Sequence, residues 1–209
     1  MSTVNWPELY FIRHGETDWN AEGRYQGSQD IPLNQTGRSQ ADLNGHLLRQ
    51  LLERSGRPAT EFAWYASPLS RTRETMQRVR AAFTGETPEV SFDPRLIEIS
   101  FGVFEGRLHG ELAAGQMAIA GERDGAFWDF RPEKGESYAD VALRVADFGM
   151  SLKGPSIIVA HGGILRVLRR LIENFPAERA VNWFPPQDSV VHFAGGQATV
   201  YPAGHSWDD

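Results

Sequence analysis

The chain has no cysteine, which excludes disulfides, thiolate metal sites and a cysteine nucleophile. It also lacks an apolar run of the roughly 18 residues that a membrane-spanning helix needs. The opening stretch from Met1 to Tyr10 has neither the basic nor the apolar region of a secretory leader. These absences predict a cytoplasmic protein with no membrane partner. Positive charge is in deficit: 21 Lys and Arg against 27 Asp and Glu give a formal net charge of -6. That balance argues against a nucleic-acid partner, because gripping a phosphate backbone takes clustered Lys and Arg over a wide face. Any anionic ligand must meet a local cluster of positive charge in an otherwise acidic protein. What is present is ordinary: 209 residues, 41% hydrophobic and 23% charged, suit one globular domain over 1–209 with a full core. No repeat or low-complexity segment interrupts it.

The organising stretch is Phe11 to Asn20. Leu9, Tyr10, Phe11 and Ile12 form a short apolar run that reads as a buried strand, ending abruptly in Arg13, His14 and Gly15. Ligands of open α/β sheets bind just outside the carboxyl ends of the strands, so a cation and an imidazole there suit chemistry. A buried histidine bonded to a carbonyl is the bland alternative. A second apolar run, Ile157 to Ala160, ends in a second His-Gly pair, His161-Gly162, and two such strand ends are hard to explain by packing.

Along the chain, Asp18 to Leu33 reads as a polar loop holding Arg24, Gln26 and Gly27. From Thr36 the leucines at 43, 47, 48, 51 and 52 keep helical spacing, with Asn34 or Thr36 as cap and Gly56-Arg57-Pro58 as the stop. Phe62 to Ala66 reads as a second strand, turning through Ser67-Pro68-Leu69-Ser70 into a helix that carries Met76, Val79 and Phe83. Arg71 and Arg73 sit in that helix's first turn, where the dipole disfavours cations; an anion at the helix start resolves the conflict. Glu89 to Phe92 is a short strand candidate, and Glu98 follows Leu96 and Ile97. Phe101 to Glu133 reads as an irregular, partly helical insertion over the sheet. Ser137 with Asp140 predicts a capping box, opening a helix with Tyr138, Val141, Val145, Phe148 and Leu152 on one face. A strand over Ser156 to Ala160 and a helix from Ile164 to about Ile172 follow. Arg169 and Arg170 near that helix's end read as structural. Ser189 to Ala194 and Ala198 to Tyr201, flanking Gly195-Gly196-Gln197, predict a hairpin at the sheet edge. The tail after Pro202, with His205, is given no role. Strands alternating with helices give an α/β domain whose mostly parallel sheet is covered on both faces.

The sequence Arg13 to Thr17, then Trp19-Asn20, Gln26-Gly27, Pro32-Leu33-Asn34, Thr36-Gly37, Ser67-Pro68-Leu69-Ser70-Arg71, Leu96-Ile97-Glu98 and Ala160-His161-Gly162-Gly163, resembles the histidine phosphatase superfamily, the phosphoglycerate mutase-like family. The motifs run in the family's order. The resemblance implies a three-layer α/β/α sandwich with a mostly parallel central sheet. It implies that His14 is a nucleophile forming a phosphohistidine, and that Arg13, Arg71 and His161 grip the phosphoryl group, with Asn20 and the backbone of Gly162 assisting. Gln26, Gly27 and Arg73 match positions that contact substrate.

By the same resemblance Glu98 gives a proton to the leaving oxygen and then takes one from water, with Glu16 and Glu105 as competing carboxylates. No metal and no cofactor are implied. Phe101 to Arg107 resembles the phosphatase branch, including the α-ribazole phosphatase type, with Phe101 where cofactor-dependent mutases carry a tyrosine. Residues 105 to 135 also lack the adjacent arginines that those mutases use. The expectation is a phosphatase acting on a small phosphorylated metabolite. A mutase (isomerase) is the alternative, a non-catalytic phosphate binder the second, and a homodimer is a candidate assembly.

Overall fold

Leu9 to Ile12 is apolar at every position because both faces of its strand are covered. In the computed structural model, which describes residues 4–113 and 126–204, Leu9 and Phe11 pack into one core and Tyr10 and Ile12 into another on the opposite side. The neighbouring strand divides in the same way: Ile158 and Ala160 face the first core, Ile157 and Val159 the second. This is the period-2 alternation of a sheet sandwiched between two helical layers.

Six strands form the sheet: β1 (Leu9–Arg13), β2 (Ala63–Ala66), β3 (Val90–Phe92), β4 (Ser156–Ala160), β5 (Ser189–Ala194) and β6 (Gln197–Pro202). Their order is β3-β2-β4-β1-β5-β6. The pairs β2/β3, β2/β4 and β1/β4 are parallel, whereas β5 runs antiparallel to both β1 and β6. Helices α1 (Gln35–Ser55) and α2 (Ser70–Ala81) bury Leu47, Leu48, Leu52, Met76 and Val79 on one face. Helices α3 (Tyr138–Ser151) and α4 (Gly162–Glu173) cover the other with Val141, Val145, Phe148, Ile164 and Leu168. Each such side chain contributes about 1.5–3 kcal/mol by leaving water. The architecture is the mixed α/β, mostly parallel sandwich expected from the sequence.

Local chemistry explains the element ends. Asn34 caps α1 by accepting from Gly37 N–H at 2.9 Å, and Gly56 ends it at φ 70°. Ser137 and Asp140 form the expected capping box of α3. Gly195 and Gly196, both at positive φ, turn the β5–β6 hairpin at the sheet edge.

Three details differ from the sequence reading. Asp18 to Leu33 is not all loop: Asp18–Ala21 is a helical turn with a capping box between Thr17 and Asn20, a signal too short for periodicity to show. α4 starts at Gly162, two residues before the expected Ile164, because His161 itself is the cap residue. A short helix, Ala177–Asn182, was not anticipated. Of the expected 101–133 insertion, the described parts include the turns Gly102–Phe104, His109–Ala113 and Ala126–Asp129. Residues 114–125, with Met117, and His205 lie outside the described residues. No helix among the described residues is long and apolar enough to cross a membrane.

Candidate active site

The parallel pairing of β1 with β4 matches Arg13 to Ala160, so the next residues, His14 and His161, leave the sheet side by side. The His14 N–H donates to the Ala160 carbonyl at 2.9 Å, and the two imidazoles stand edge to face with centroids 5.1 Å apart. β2 joins from the other side of β4: Ser67, just past its end, donates its backbone N–H to Val159 O at 3.1 Å. Its hydroxyl lies 2.8 Å from His161 Nε2. Three strand ends thus converge at the carboxyl edge of the sheet.

Gly15 is required here, since a Cβ at this position would stand 2.1 Å from Gly37 O. That tight turn brings the Gly15 carbonyl to 2.7 Å from His14 Nδ1. A carbonyl only accepts, so Nδ1 carries the proton and Nε2 keeps a lone pair. Nε2 has no partner among the described residues, and His14 lines a cavity of about 330 Å³. Burial, then the charges of Arg71 and Arg13, hold His14 well below the usual histidine value. His161, also buried, is depressed by the same causes in the same order, with the charge of His14 acting between those of Arg71 and Arg13. Both rings are therefore neutral at physiological pH.

Arg13 donates to Pro185 O at 2.6 Å, and its Nε is buried without a protein partner. Burial pulls its pKa down to about 10, with Glu98 opposing the shift. Arg71, fully buried, donates to Gln29 O at 2.6 Å and to Gly27 O at 2.8 Å, fastening the Gly27–Gln29 loop against the first turn of α2. Its Nε also lacks a protein partner, as does His161 Nδ1. Burial lowers Arg71 to about 10, which still leaves it charged. Glu98 is held by the start of α4: Gly163 N–H lies 3.0 and 3.1 Å from its two oxygens, and Ile99 N–H donates at 2.9 Å.

The structure brings Arg13, His14, Asn20, Gln26, Gly27, Glu98 and Gly162 to one cavity, with His161 and Arg71 buried beside His14. It does not bring Arg73 there. That side chain stacks on Phe92, 3.8 Å from the ring centroid, and donates to Pro68 O. Neither competing carboxylate is among the residues lining that cavity: Glu16 accepts from Asn34 Nδ2 at 2.9 Å. Glu105 ties the loop together through Ser28, Gln29, Ser100 and Phe101.

Sequence reasoning missed Gln187, which donates to His14 O at 3.2 Å and to Asn20 Oδ1 at 3.1 Å. It also missed Arg166, which lines the cavity. Gln187 becomes legible only once β5 is known to run antiparallel beside β1, which puts the segment before β5 at the end of β1. Arg166 carried a signal, since it lies four residues, about one helical turn, beyond Gly162.

Comparison with known proteins gives a consistent picture. The chain is 36% identical over 180 residues to the probable phosphoglycerate mutase GpmB of Enterobacter sp. strain 638, covering 81% of this chain and 76% of that one. A candidate α-ribazole-5′-P phosphatase of Escherichia coli K-12 superposes with a TM-score of 0.71 at 28% identity, covering 95% of this chain and 96% of its own. A mycobacterial glucosyl-3-phosphoglycerate phosphatase in complex with VO3 superposes with a TM-score of 0.71 at 26% identity, covering 96% and 100%. The family model matches residues 9–201. With His14 on the cavity wall and His161 packed edge to face against it, the chain belongs to branch 1 of the histidine phosphatase superfamily and is an enzyme of that family.

Proposed function

We propose that the protein is a phosphatase that hydrolyses a small phosphorylated metabolite through a phosphohistidine on His14. The observation that carries this reading is the bond between His14 Nδ1 and Gly15 O, which leaves the Nε2 lone pair as the nucleophile in a neutral, buried ring. Nε2 attacks phosphorus as the ester oxygen departs, and protonated Glu98 supplies the proton to that oxygen. Arg13, Arg71 and His161 stabilise the negative charge spread over the three transferring oxygens. With Ser67 holding His161 Nε2, Nδ1 is the nitrogen left for a phosphoryl oxygen. Asn20, Gln26 and the backbones of Gly27 and Gly162 orient the phosphate. Water then attacks the phosphohistidine, Glu98 takes its proton, and orthophosphate leaves with Nε2 restored.

Phe101, which stands where the resemblance puts a tyrosine in cofactor-dependent mutases, lies on the cavity wall, and two of the structural neighbours are phosphatases by name. The mutase reading is kept alive by the GpmB relative. Phosphate release from p-nitrophenyl phosphate and a panel of phosphorylated metabolites, with 3-phosphoglycerate isomerisation run alongside, separates the two. Hydrolysis without isomerisation supports the phosphatase. Isomerisation without net phosphate release makes it a mutase, and neither activity leaves a phosphate-binding protein.

A further inference from the structure

Glu98 does not stand on a helix or a strand. Residues 97–101 lie between the turns Pro94–Leu96 and Gly102–Phe104 and join no β-ladder, so their backbone groups must be satisfied from outside. Arg144, on α3, grips the carbonyls along this stretch. Its Nη1 donates to Arg95 O at 2.6 Å and to Ile97 O at 2.7 Å, and its Nη2 reaches Glu98 O at 3.4 Å. Nε and Nη2 donate to the two oxygens of Glu136, each at 3.0 Å. Glu136 in turn accepts from the Ser100 N–H at 3.0 Å and donates its own N–H to Ser100 O at 2.8 Å. All five guanidinium N–H groups of Arg144 are thereby engaged. Arg144 is also not among the residues lining the cavity, so it can act on the chemistry only through the backbone it holds.

We infer that Arg144 is a positioning residue for the proposed general acid, fixing the backbone from which the Glu98 carboxylate reaches the cavity. The inference rests on the phosphatase reading, in which Glu98 protonates the leaving oxygen. Glu98 is held at both ends: the Gly163 N–H on α4 fastens the carboxylate, and Arg144 on α3 fastens the main chain behind it. Two helices thus set the place of an acid that sits on irregular chain. A catalytic group needs placement within ~0.5 Å, which helices supply more precisely than loops. As an ion pair alone, Arg144 with Glu136 is partly exposed and adds little to stability. Its geometry matters more, because two-point pairing with Glu136 orients the planar fork and leaves Nη1 aimed at two carbonyls. Lysine would keep the charge and could not reproduce that fork.

Leaving-group dependence separates this role from a merely structural one. Single-turnover phosphorylation of His14 in the intact chain is followed with phenethyl phosphate and with p-nitrophenyl phosphate, since an alkoxide needs a proton as it departs and nitrophenolate needs little. Arg144→Met should slow phenethyl phosphate on the order of 10²-fold, the cost of misplacing a catalytic group by about 1 Å, and p-nitrophenyl phosphate much less. Arg144→Lys should recover part of the loss. Adding Arg144→Met to Glu98→Gln should cost phenethyl phosphate little more than Glu98→Gln alone, because the two residues act as a unit. Equal losses for both substrates in Arg144→Met overturn the inference, as do losses that multiply in the double variant. A Glu98→Gln variant without leaving-group contrast overturns the general-acid reading itself, and the inference with it. Should Arg144→Met fail to fold, Arg144→Lys and Glu136→Gln carry the test: each should show the same contrast at smaller size, and its absence from both overturns the inference.

Discussion

The Glu98 carboxylate and the Gly163 backbone N–H are bonded at 3.0 and 3.1 Å, so the candidate proton donor is clamped to the first turn of the helix that begins beside His161. The contact depends on Gly163 having no side chain, because a Cβ there would stand 2.3 Å from Glu98 Oε1 and 2.9 Å from Ile99 Cγ2.

Gly163→Ala should therefore displace the carboxylate while leaving the fold in place. Turnover of alkyl phosphates should fall in the same direction as in Glu98→Gln, where loss of a general acid costs ~10²–10⁴-fold. In single-turnover phosphorylation of His14, Glu98→Gln should slow alkyl phosphates severely and p-nitrophenyl phosphate much less, since nitrophenolate leaves with little help. Equal losses for both substrates would mean that Glu98 positions phosphate or supports the fold. Single-turnover conditions matter because in the proposed mechanism Glu98 also serves as base in the second step and would blur the contrast in steady state.

Gly15 should be harder to replace than Gly163. Its Cβ would meet Gly37 O, a backbone atom held inside α1, and backbone cannot swing aside. Gly15→Ala should lower stability by at least the ~1–3 kcal/mol typical of overpacking, read as an earlier urea midpoint. A midpoint equal to wild type would show that β1 turns into the site differently.

Acid should destabilise the protein through its two buried histidines. Burial and then Arg71 lower both folded-state values below the ordinary 6.5. The unfolded chain takes up protons near that pH that the native state refuses, so this stability is complete above the unfolded value and is lost as pH falls below it. The slope should reach up to ~1.4 kcal/mol per pH unit for each histidine. Urea titrations between about pH 7 and about pH 5.5, above most carboxylate titration, should give a shallower slope in His161→Asn than in wild type. Identical slopes would show that His161 titrates normally.

Much of this was legible in the sequence because it is local. The apolar runs before Arg13 and His161, the Ser137–Asp140 capping box and the glycine turns all declare themselves within a few residues. What stayed hidden depends on the order in which strands pair. Nothing around Gln187 marks it until β5 is placed antiparallel beside β1, and nothing marks Arg73 as turned away until Phe92 on β3 is seen beneath it. Arg71 was legible as a cation at a helix start. That it also fastens the Gly27 and Gln29 carbonyls was not, because those partners lie more than forty residues away.

The central claim is that His14 Nε2 takes the phosphoryl group. Rapid quenching of the protein with labelled p-nitrophenyl phosphate, followed by peptide mapping, tests it most directly. The account predicts label on the peptide carrying His14, labile in acid and stable in base, and absent in His14→Ala with the variant still folded. Label on a serine or on His161, or undiminished turnover by His14→Ala, would contradict it.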